Sequence, residues 1–297
     1  MKFLQNILIA MVLLLFSCNE SIMEGDEYVS EGLYEKIISF DIGKSSRASY
    51  GSDNKFFMEA GDCIDVVQGT EGSPVFAISN TVATPNIFSG LIYMAVRERK
   101  TFHFAYPSGS LQNSNGNVSY SFTIPSAQYG KWVPYLYATK ELDFDKLDDV
   151  ELNFGATRAG CIAVRIYNNS QEVGKNDISN ISISAQRAIT GSINNGVVTG
   201  EGTEITIPSN PPYTTGQNSE GVTYYEYRFN AIPGSCGKVT INITDSHKTE
   251  TVTTSSEITV KANYRHVIDI IWSADNVQIA ATAEFENGST CQEWDLY

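Results

Sequence analysis

Lys36-Ile37-Ile38-Ser39-Phe40-Asp41-Ile42 is a short segment in which apolar and polar side chains alternate. On an extended chain Ile38, Phe40 and Ile42 point to one face, while Ser39 and Asp41 point to the other. A period of two is typical of a β-strand that buries one face and exposes the other. The segment therefore predicts a half-buried strand near the start of the folded region.

The same alternation recurs along the rest of the chain. It is found at Tyr120, Phe122 and Ile124; Val150, Leu152 and Phe154; Ile162, Val164 and Ile166; Ile181 and Ile183; Tyr225, Tyr227 and Phe229; and Val239, Ile241 and Ile243. Turn-forming sequences separate these runs, at residues 112–117, 194–196 and 210–212. About fourteen strands without crossover helices predict an all-β protein built from antiparallel sandwiches.

The length of 297 residues corresponds to about two domains of roughly 150 residues each. A polar, turn-rich stretch, NNSQEVGKND (168–177), lies near the middle and is the predicted boundary. The expected domains are two tandem antiparallel β-sandwiches, at 36–168 and 177–297.

The chain is acidic, with 34 Asp and Glu against 20 Lys and Arg and a net charge of −14. Such a field repels phosphate backbones, so nucleic acid is excluded as a partner.

The N-terminus predicts export. Lys2 precedes an apolar run at 7–16, which is half of the roughly 20 residues that a membrane-spanning helix needs and is typical of a signal peptide. Leu15-Phe16-Ser17-Cys18 resembles a lipobox, although Phe16 departs from its small or aliphatic residue. We therefore expect removal of the signal peptide at 1–17 and acylation, for example by palmitate, of Cys18. The alternative is an ordinary secretory signal or a short anchor.

The segment at 18–35 is predicted to be an acidic tether, with Glu20, Glu24, Asp26 and Glu27 close behind Cys18. Acidic residues at this place resemble the signal that sends some lipoproteins to the outer face of the outer membrane. A plain charged linker is the alternative.

The four remaining cysteines are Cys63, Cys161, Cys236 and Cys291. Three pairings are open to them, and the sequence does not choose among these. Because no Cys-x-x-Cys or His-rich spacing occurs, we expect small, mostly buried thiols and no metal site.

The sequence lacks the usual signatures of an enzyme. His103, His247 and His266 have no zinc-binding spacing, and no P-loop or dinucleotide fingerprint is present. The acidic residues Asp143, Asp145, Asp148, Asp149 and Glu151 lack the glycine and terminal glutamate of a calcium loop, and Leu142, Phe144 and Leu147 interleave with them. We expect a solvated strand edge there, and no catalytic residues or cofactor. Paired carboxylates for glycoside hydrolysis, distant in sequence, stay open.

Five segments in order resemble the fimbrillin-like (Mfa-like) family of lipoprotein pilins. They are the strand 36–42 followed by Ser45-Ser46-Arg47-Ala48; FFMEAGDCIDVV (56–67); TFHFAYPSGS (101–110); FTIPSAQ (122–128) with LYATK (136–140); and VELNFGATRAGCIAVRIYN (150–168). In the second half, 178–193 and 260–272 are similar to strand pairs of that family's second domain, more loosely. The resemblance implies two transthyretin-like sandwiches.

The resemblance also implies a mode of assembly. A fimbrillin is exported as a lipoprotein, a surface protease cuts after an arginine behind the first strand, and the vacated groove accepts a strand from the next subunit. Here the displaced strand would bury Ile38, Phe40 and Ile42, and the cut would follow Arg47. The implied location is the outer membrane surface and then the fimbrium. The implied partners are other fimbrial subunits, a lipid anchor in the membrane, and host or bacterial surface ligands or glycans.

A donor strand needs alternating apolar residues, and one segment near the C-terminus provides them. Val277, Ile279, Ala281, Ala283 and Phe285 share one face of the segment 277–285. Burying five such side chains contributes roughly 5–8 kcal/mol. The alternative is that this is a final structural strand of its own domain.

A glycan-binding lipoprotein that feeds an outer-membrane importer is the rival interpretation. Sugars stack on exposed aromatic rings, and Trp132 with Tyr135, and Tyr213, occur in loop-like sequence where such platforms form.

Overall fold

The structure, a computed structural model, describes residues 28–29, 32–42, 61–80, 87–129, 132–168, 178–208, 214–218, 221–244, 249–273, 276–279 and 289–293. Within these ranges every regular element is a β-strand, so none of them contains a helix able to span a membrane. The predicted all-β fold is confirmed. The strands in chain order are β1 (Tyr28–Val29), β2 (Leu33–Asp41), β3 (Cys63–Gln68), β4 (Phe76–Ser79), β5 (Ile87–Met94), β6 (Lys100–Tyr106), β7 (Leu111–Ser114), β8 (Asn117–Ile124), β9 (Leu136–Leu142), β10 (Val150–Glu151), β11 (Gly160–Asn168), β12 (Asn180–Ala185), β13 (Thr190–Asn194), β14 (Val197–Gly202), β15 (Glu204–Ile207), β16 (Thr214–Gln217), β17 (Thr223–Ala231), β18 (Gly234–Gly237), β19 (Val239–Thr244), β20 (Thr249–Thr253), β21 (Ile258–Val260), β22 (Tyr264–Ser273), β23 (Asn276–Ile279) and β24 (Ser289–Glu293).

The first half of the chain stacks three sheets. One contains β1, β2, β5 and β10, the middle one has the order β4-β3-β6-β9, and β7 and β8 belong to a third. Alternation places Phe102 and Phe104 of β6 in the core shared with β2, while Ala105 lies in the core shared with β8. The middle sheet is therefore buried on both faces.

The second half forms a two-sheet sandwich. A six-stranded sheet contains β16, β17, β11, β22, β23 and β24, and it packs on a four-stranded sheet of order β15-β12-β19-β20. The core between them is dominated by isoleucine, which suits a pleated, buried surface: Ile162, Ile166, Ile181, Ile183, Ile205, Ile207, Ile241, Ile243, Ile268 and Ile270.

Two elements interlock the halves. β11, which the resemblance places at the end of the first domain, pairs antiparallel with β17 and parallel with β22 of the second half. Its small residues Cys161 and Ala163 face the first core, and Ile162, Val164 and Ile166 face the second. In return, the hairpin β13–β14 of the second half adds to β8 of the first, with Ile193 opposite Phe122.

Two tight turns set the register of this shared sheet. Asn195 and Gly196 both have positive φ, at 48° and 85°, as do Asn115 and Gly116, at 52° and 82°. Two-residue loops of this kind match the twist of a β-hairpin, and Asn-Gly is the pair that tolerates them. The turns predicted from 112–117 and 194–196 are confirmed. The third, at 210–212, and the interior of the predicted domain boundary, 169–177, lie outside the described residues, so the domain limits stay a prediction.

A buried ionic cluster occupies the face of the six-stranded sheet that turns toward the first half. The Glu226 carboxylate accepts from Arg165 Nε at 2.8 Å, Arg228 Nε at 2.5 Å and Arg265 Nη1 at 3.0 Å. Burial raises the pKa of Glu226, but the three guanidinium groups outweigh burial and hold it at about 2. Glu226 is therefore ionised at neutral pH and neutralises charge that the sheet would otherwise bury unpaired.

Replacing Glu226→Gln should lower the free energy of unfolding at pH 7 by about 3–5 kcal/mol, because it leaves buried guanidinium groups without their carboxylate. The matched control is Glu141→Gln, which breaks the contact of Glu141 with Arg99 at 3.3 Å, where both side chains are more than half exposed. That change should cost under about 1 kcal/mol. Urea denaturation measures both, and equal losses would contradict a structural role for the cluster.

His266 should make the protein less stable in mild acid. Its Nε2 accepts from the Lys261 backbone N–H at 3.1 Å, and burial, aided by the Lys261 charge, lowers its pKa from 6.5 to about 4. Between these two pH values His266 binds a proton in the unfolded chain but stays neutral in the folded chain. The free energy of unfolding is therefore unaffected above about pH 6.5 and falls by about 2–3 kcal/mol toward pH 4.

The measurement is the free energy of unfolding of the intact protein and of His266→Gln at intervals from pH 4 to 7.5. The variant should lose most of this slope and keep the smaller contribution of His103, whose pKa burial also lowers. An unchanged slope in the variant would rule out His266 as its source.

Candidate strand-exchange groove

Strand β2 lies in the interior of its sheet. On one side it pairs antiparallel with the whole of β5, from Tyr34 opposite Met94 to Asp41 opposite Ile87. On the other side its end pairs parallel with β10 at Phe40 and Asp41, and its start pairs with β1. Main-chain bonds from Ser39 N to Leu147 O and from Leu152 N to Asp41 O, both 2.7 Å, extend the contact on the β10 side.

The three predicted inward side chains of β2 are buried. Ile38 and Ile42 have no exposed surface, and Phe40 is 1% exposed. The ring of Phe40 stacks on Phe88 with centroids 5.3 Å apart and meets the edge of Phe104 at 5.4 Å. The part of the prediction that places Ile38, Phe40 and Ile42 in the core is confirmed.

A close approach across the strand pair completes this packing. Gly90 stands opposite Ile38 in β5, and a Cβ on Gly90 would come within 2.8 Å of Ile78 Cδ1. The absence of a side chain at Gly90 therefore lets Ile78 of β4 reach the strand pair. The pocket that receives β2 is shaped by two sheets and not by β5 alone.

The start of β2 is held by a small aromatic and cationic group. The strand begins at Leu33, three residues before the predicted start, within the segment predicted to be tether. The Tyr34 ring meets the Phe144 edge at 6.1 Å, and Lys36 Nζ and the Arg97 guanidinium lie 5.0 and 4.8 Å from the Phe144 centroid. Each such cation–π contact contributes about 0.5–1 kcal/mol at an exposed site. Phe144 therefore stabilises the N-terminal end of β2.

Burial gives β2 a large share of the stability of its sandwich. Three fully buried side chains of this size contribute about 1.5–3 kcal/mol each, or about 5–9 kcal/mol together. A typical domain is stable by only about 5–15 kcal/mol. A subunit that lost β2 would expose an apolar trench bordered by the backbone groups of β5 and β10, and it would need another strand to fill it.

The residues predicted to control exchange are only partly within the described chain. Cys18 and Arg47 lie outside it, as do Ala281, Ala283 and Phe285. Val277 and Ile279 belong to β23, which pairs antiparallel with the end of β22, with Ile279 opposite Ile270 and Val277 opposite Trp272. The first part of the predicted donor thus forms a strand of its own half, at the border of the six-stranded sheet.

The predicted sugar platform is wrong where the structure describes it. Trp132 and Tyr135 are 2% and 5% exposed and belong to the hydrophobic cores. Burial raises the pKa of Tyr135 to about 12, and its hydroxyl donates to Thr123 O at 3.2 Å. The turn-rich composition around these residues predicted an exposed loop, whereas both side chains fill space between sheets. Tyr213 lies outside the described residues.

His103 and the acidic stretch match their sequence patterns. His103 is a β6 residue between the buried Phe102 and Phe104, and its Nδ1 lies 2.7 Å from the Tyr137 hydroxyl. The acidic stretch 143–151 is anchored by the buried Leu142, Phe144 and Leu147. No group of three His, Cys, Asp or Glu placed to hold a metal occurs among the described residues.

Three of the cysteines are free thiols, with Cys161 and Cys236 buried and Cys63 partly exposed. Burial raises the pKa of Cys161 to about 12 and that of Cys236 to about 11, so both are protonated at neutral pH. The side chain of Cys291 is outside the described part, and its pairing stays open.

The ionic cluster around Glu226 was not predicted from the sequence. The sequence feature that marks it is the presence of charged residues at alternate positions of three strands whose remaining positions are apolar. These residues are Arg165 in β11, Glu226 and Arg228 in β17, and Arg265 and Asp269 in β22. Read singly, each strand shows ordinary polar positions facing water. Only the register, with Arg165 opposite both Glu226 and Asp269, brings them together.

Comparison with known proteins identifies the fold. No protein-family model and no curated protein matches the sequence. Among solved structures, a putative cell adhesion protein from Bacteroides uniformis is 18% identical with a TM-score of 0.55, over 88% of this chain and 99% of that one. A putative cell adhesion protein from Bacteroides ovatus is 12% identical with a TM-score of 0.50, over 87% of this chain and 98% of that one. The chain thus shares the β-sandwich fold of these Bacteroides proteins, as its resemblance to fimbrillins implies.

Proposed function

We propose that this protein is a fimbrial subunit or fimbria-associated adhesin of the fimbrillin-like family, exported as a lipoprotein through Cys18 and assembled by strand exchange. The observation that carries the proposal is β2. It is an N-terminal strand whose Ile38, Phe40 and Ile42 are buried, and its main chain pairs with β5 on one side and with β10 on the other. The names of the two similar Bacteroides structures, both for cell adhesion, support a role at the cell surface. Catalysis has no part in this proposal.

Removal of β2 follows a cut after Arg47. That position lies six residues beyond the end of β2 at Asp41, so the released piece would carry the whole strand and its three anchoring side chains. The cut itself breaks no β2 contact. It frees the strand to leave when a competitor takes its place.

The competitor is the segment 277–285 of a neighbouring subunit. Its apolar face offers Val277, Ile279, Ala281, Ala283 and Phe285 to the trench. Phe285 is the largest of these, and the pocket of Phe40 between Phe88 and Phe104 is the largest place vacated. To donate, the segment gives up the β23 pairing with β22 and gains longer pairing with β5, which drives the exchange forward.

Arg47→Ala should abolish assembly of the purified mature protein. The intact protein, nicked lightly with an arginine-specific protease that spares the nearby Lys44 and run unboiled in SDS, should form a ladder of oligomers, since buried strands resist the detergent. The matched control is Arg99→Ala, which removes an arginine that is 62% exposed and lies outside the groove. It should assemble normally. A ladder that persists in Arg47→Ala would place the cut elsewhere, and a monomer from the nicked parent chain would favour a solitary tethered binder.

Ala283→Asp should leave a subunit that accepts a strand but cannot donate one. A carboxylate in an apolar pocket costs several kcal/mol, so the variant should stop elongation when mixed with the nicked parent protein and shorten the ladder in proportion to its share. Thr282→Asp, one residue away on the opposite face, is the control and should elongate normally. Equal behaviour of the two variants would remove 277–285 from the mechanism.

A further inference from the structure

One face of the six-stranded sheet ends in a partly exposed polar and aromatic patch. Residues that stand in register share a face, which groups Arg165 with Asp269 and Tyr167 with Tyr224 and Ile271. The first core covers this face at Cys161 and Ala163, but Arg165, Tyr167, Tyr224 and Ile271 remain partly exposed to solvent. These residues with Asp269 are called the tyrosine patch below.

Asp269 is the unusual member of the tyrosine patch. Its side chain is only 5% exposed, and the Tyr167 hydroxyl donates to its carboxylate. Its second oxygen, Oδ1, is buried and has no hydrogen-bond donor among the residues that the structure describes. A buried carboxylate oxygen without a donor is costly, so a donor from outside the sheet is expected there.

Charge decides which class of donor suits this oxygen. Arg165 is held by Glu226 and also lies beside Asp269, so the carboxylate already has a cationic neighbour. With Arg228 and Arg265 on Glu226 as well, the cluster contains three arginines against two carboxylates. A further cation would be repelled by this surplus, and an anion would meet the Asp269 carboxylate directly. A neutral hydroxyl group meets neither obstacle.

The surroundings of Asp269 are aromatic. Tyr167 and Tyr224 have ring centroids 5.4 Å apart at 60°, and the Arg165 guanidinium lies 4.6 Å from the Tyr224 centroid. Tyr224 leans over Gly216 of β16, where a Cβ would come within 2.5 Å of its ring. Gly216 thus leaves the space that lets the ring lie along the sheet. The result is an amphipathic surface with hydroxyl groups at its border.

We propose that the tyrosine patch binds a neutral hexose of a surface glycan. A small rotation of the Asp269 carboxylate would bring the buried Oδ1 to the surface, where it accepts from one sugar hydroxyl, and the apolar face of the sugar lies against Tyr167. The Tyr167 hydroxyl, already a donor to Asp269, can accept from a second sugar hydroxyl. This binding is independent of strand exchange, because every residue involved lies in the second half or in β11 and none lies in β2. A subunit with this site would carry a weak sugar contact that is repeated along a polymer.

The test uses the intact mature protein without nicking. D-galactose, D-mannose, D-glucose and L-fucose are titrated separately, with N-acetylneuraminic acid and D-glucuronic acid as charged probes, and binding is followed by saturation-transfer NMR. At least one neutral sugar should bind saturably, and the two acids should bind more weakly. Asp269→Asn and Tyr167→Ala should each weaken the bound sugar by about tenfold or more, which corresponds to the loss of one well-formed polar contact or ring contact.

Tyr129→Ala is the matched control, since Tyr129 is 84% exposed and lies in a different part of the chain. It should bind like the parent protein. If Asp269→Asn does not fold, Tyr167→Phe keeps the ring and removes only the hydroxyl, and it should still weaken binding. Saturable binding by none of the neutral sugars would overturn the proposal and leave only a water molecule at Oδ1. Binding that survives Asp269→Asn and Tyr167→Ala, or preference for the acids, would overturn it as well.

Discussion

The burial of Phe40 between Phe88 and Phe104 is the contact on which the first half of this protein depends. It joins β2 to β5 of its own sheet and to β6 of the middle sheet. Ile38 and Ile42, on the same face of β2, extend this contact along the trench. Yet β2 comes early in the chain and is bonded mainly to one long partner, β5. A strand with this much buried surface is essential to the packing of the first half, and the exchange that we propose requires a replacement with comparable apolar surface.

Interlocking of the halves gives the chain a set of contacts that do not involve β2. The second core lies between β11, β17 and β22 on one side and β12, β15 and β19 on the other, and none of its described residues belongs to β2. β11 binds the first core through Cys161 and Ala163, and the hairpin β13–β14 completes the sheet of β8. Glu226 neutralises the arginines on the shared face. The second half and the hairpin β13–β14 are thus held by contacts that do not involve β2. Among the described residues, however, β5 and β10 pair as strands only with β2, so the walls of the trench depend on the strand that fills it.

Much of this fold follows from the alternation of residues along the chain. The period of two located the buried faces of β2, β8, β11 and β19, because packing against a sheet selects apolar residues at every second position. The same rule could not show that β11 pairs with β17 and β22 of the second half, because alternation reveals which faces of a strand are buried and not which strands lie beside it. Trp132 and Tyr135 were misjudged because turn-rich flanks suggested a loop on the surface, whereas large rings in irregular segments also fill gaps between sheets. The Glu226 cluster and Asp269 depend on register, which single strands do not reveal.

The most direct measurement of strand replacement is amide hydrogen exchange of β5, residues 87–94, in a nicked subunit from which the leading piece has been separated. A synthetic peptide of residues 275–287 is added, and the same peptide with Ala283→Asp serves as control. If a donor strand replaces β2, protection of 87–94 should fall when β2 is lost, return with the native peptide and stay low with the altered one. Protection that never depends on β2, or that either peptide restores equally, would contradict replacement of the first strand by a neighbour's donor.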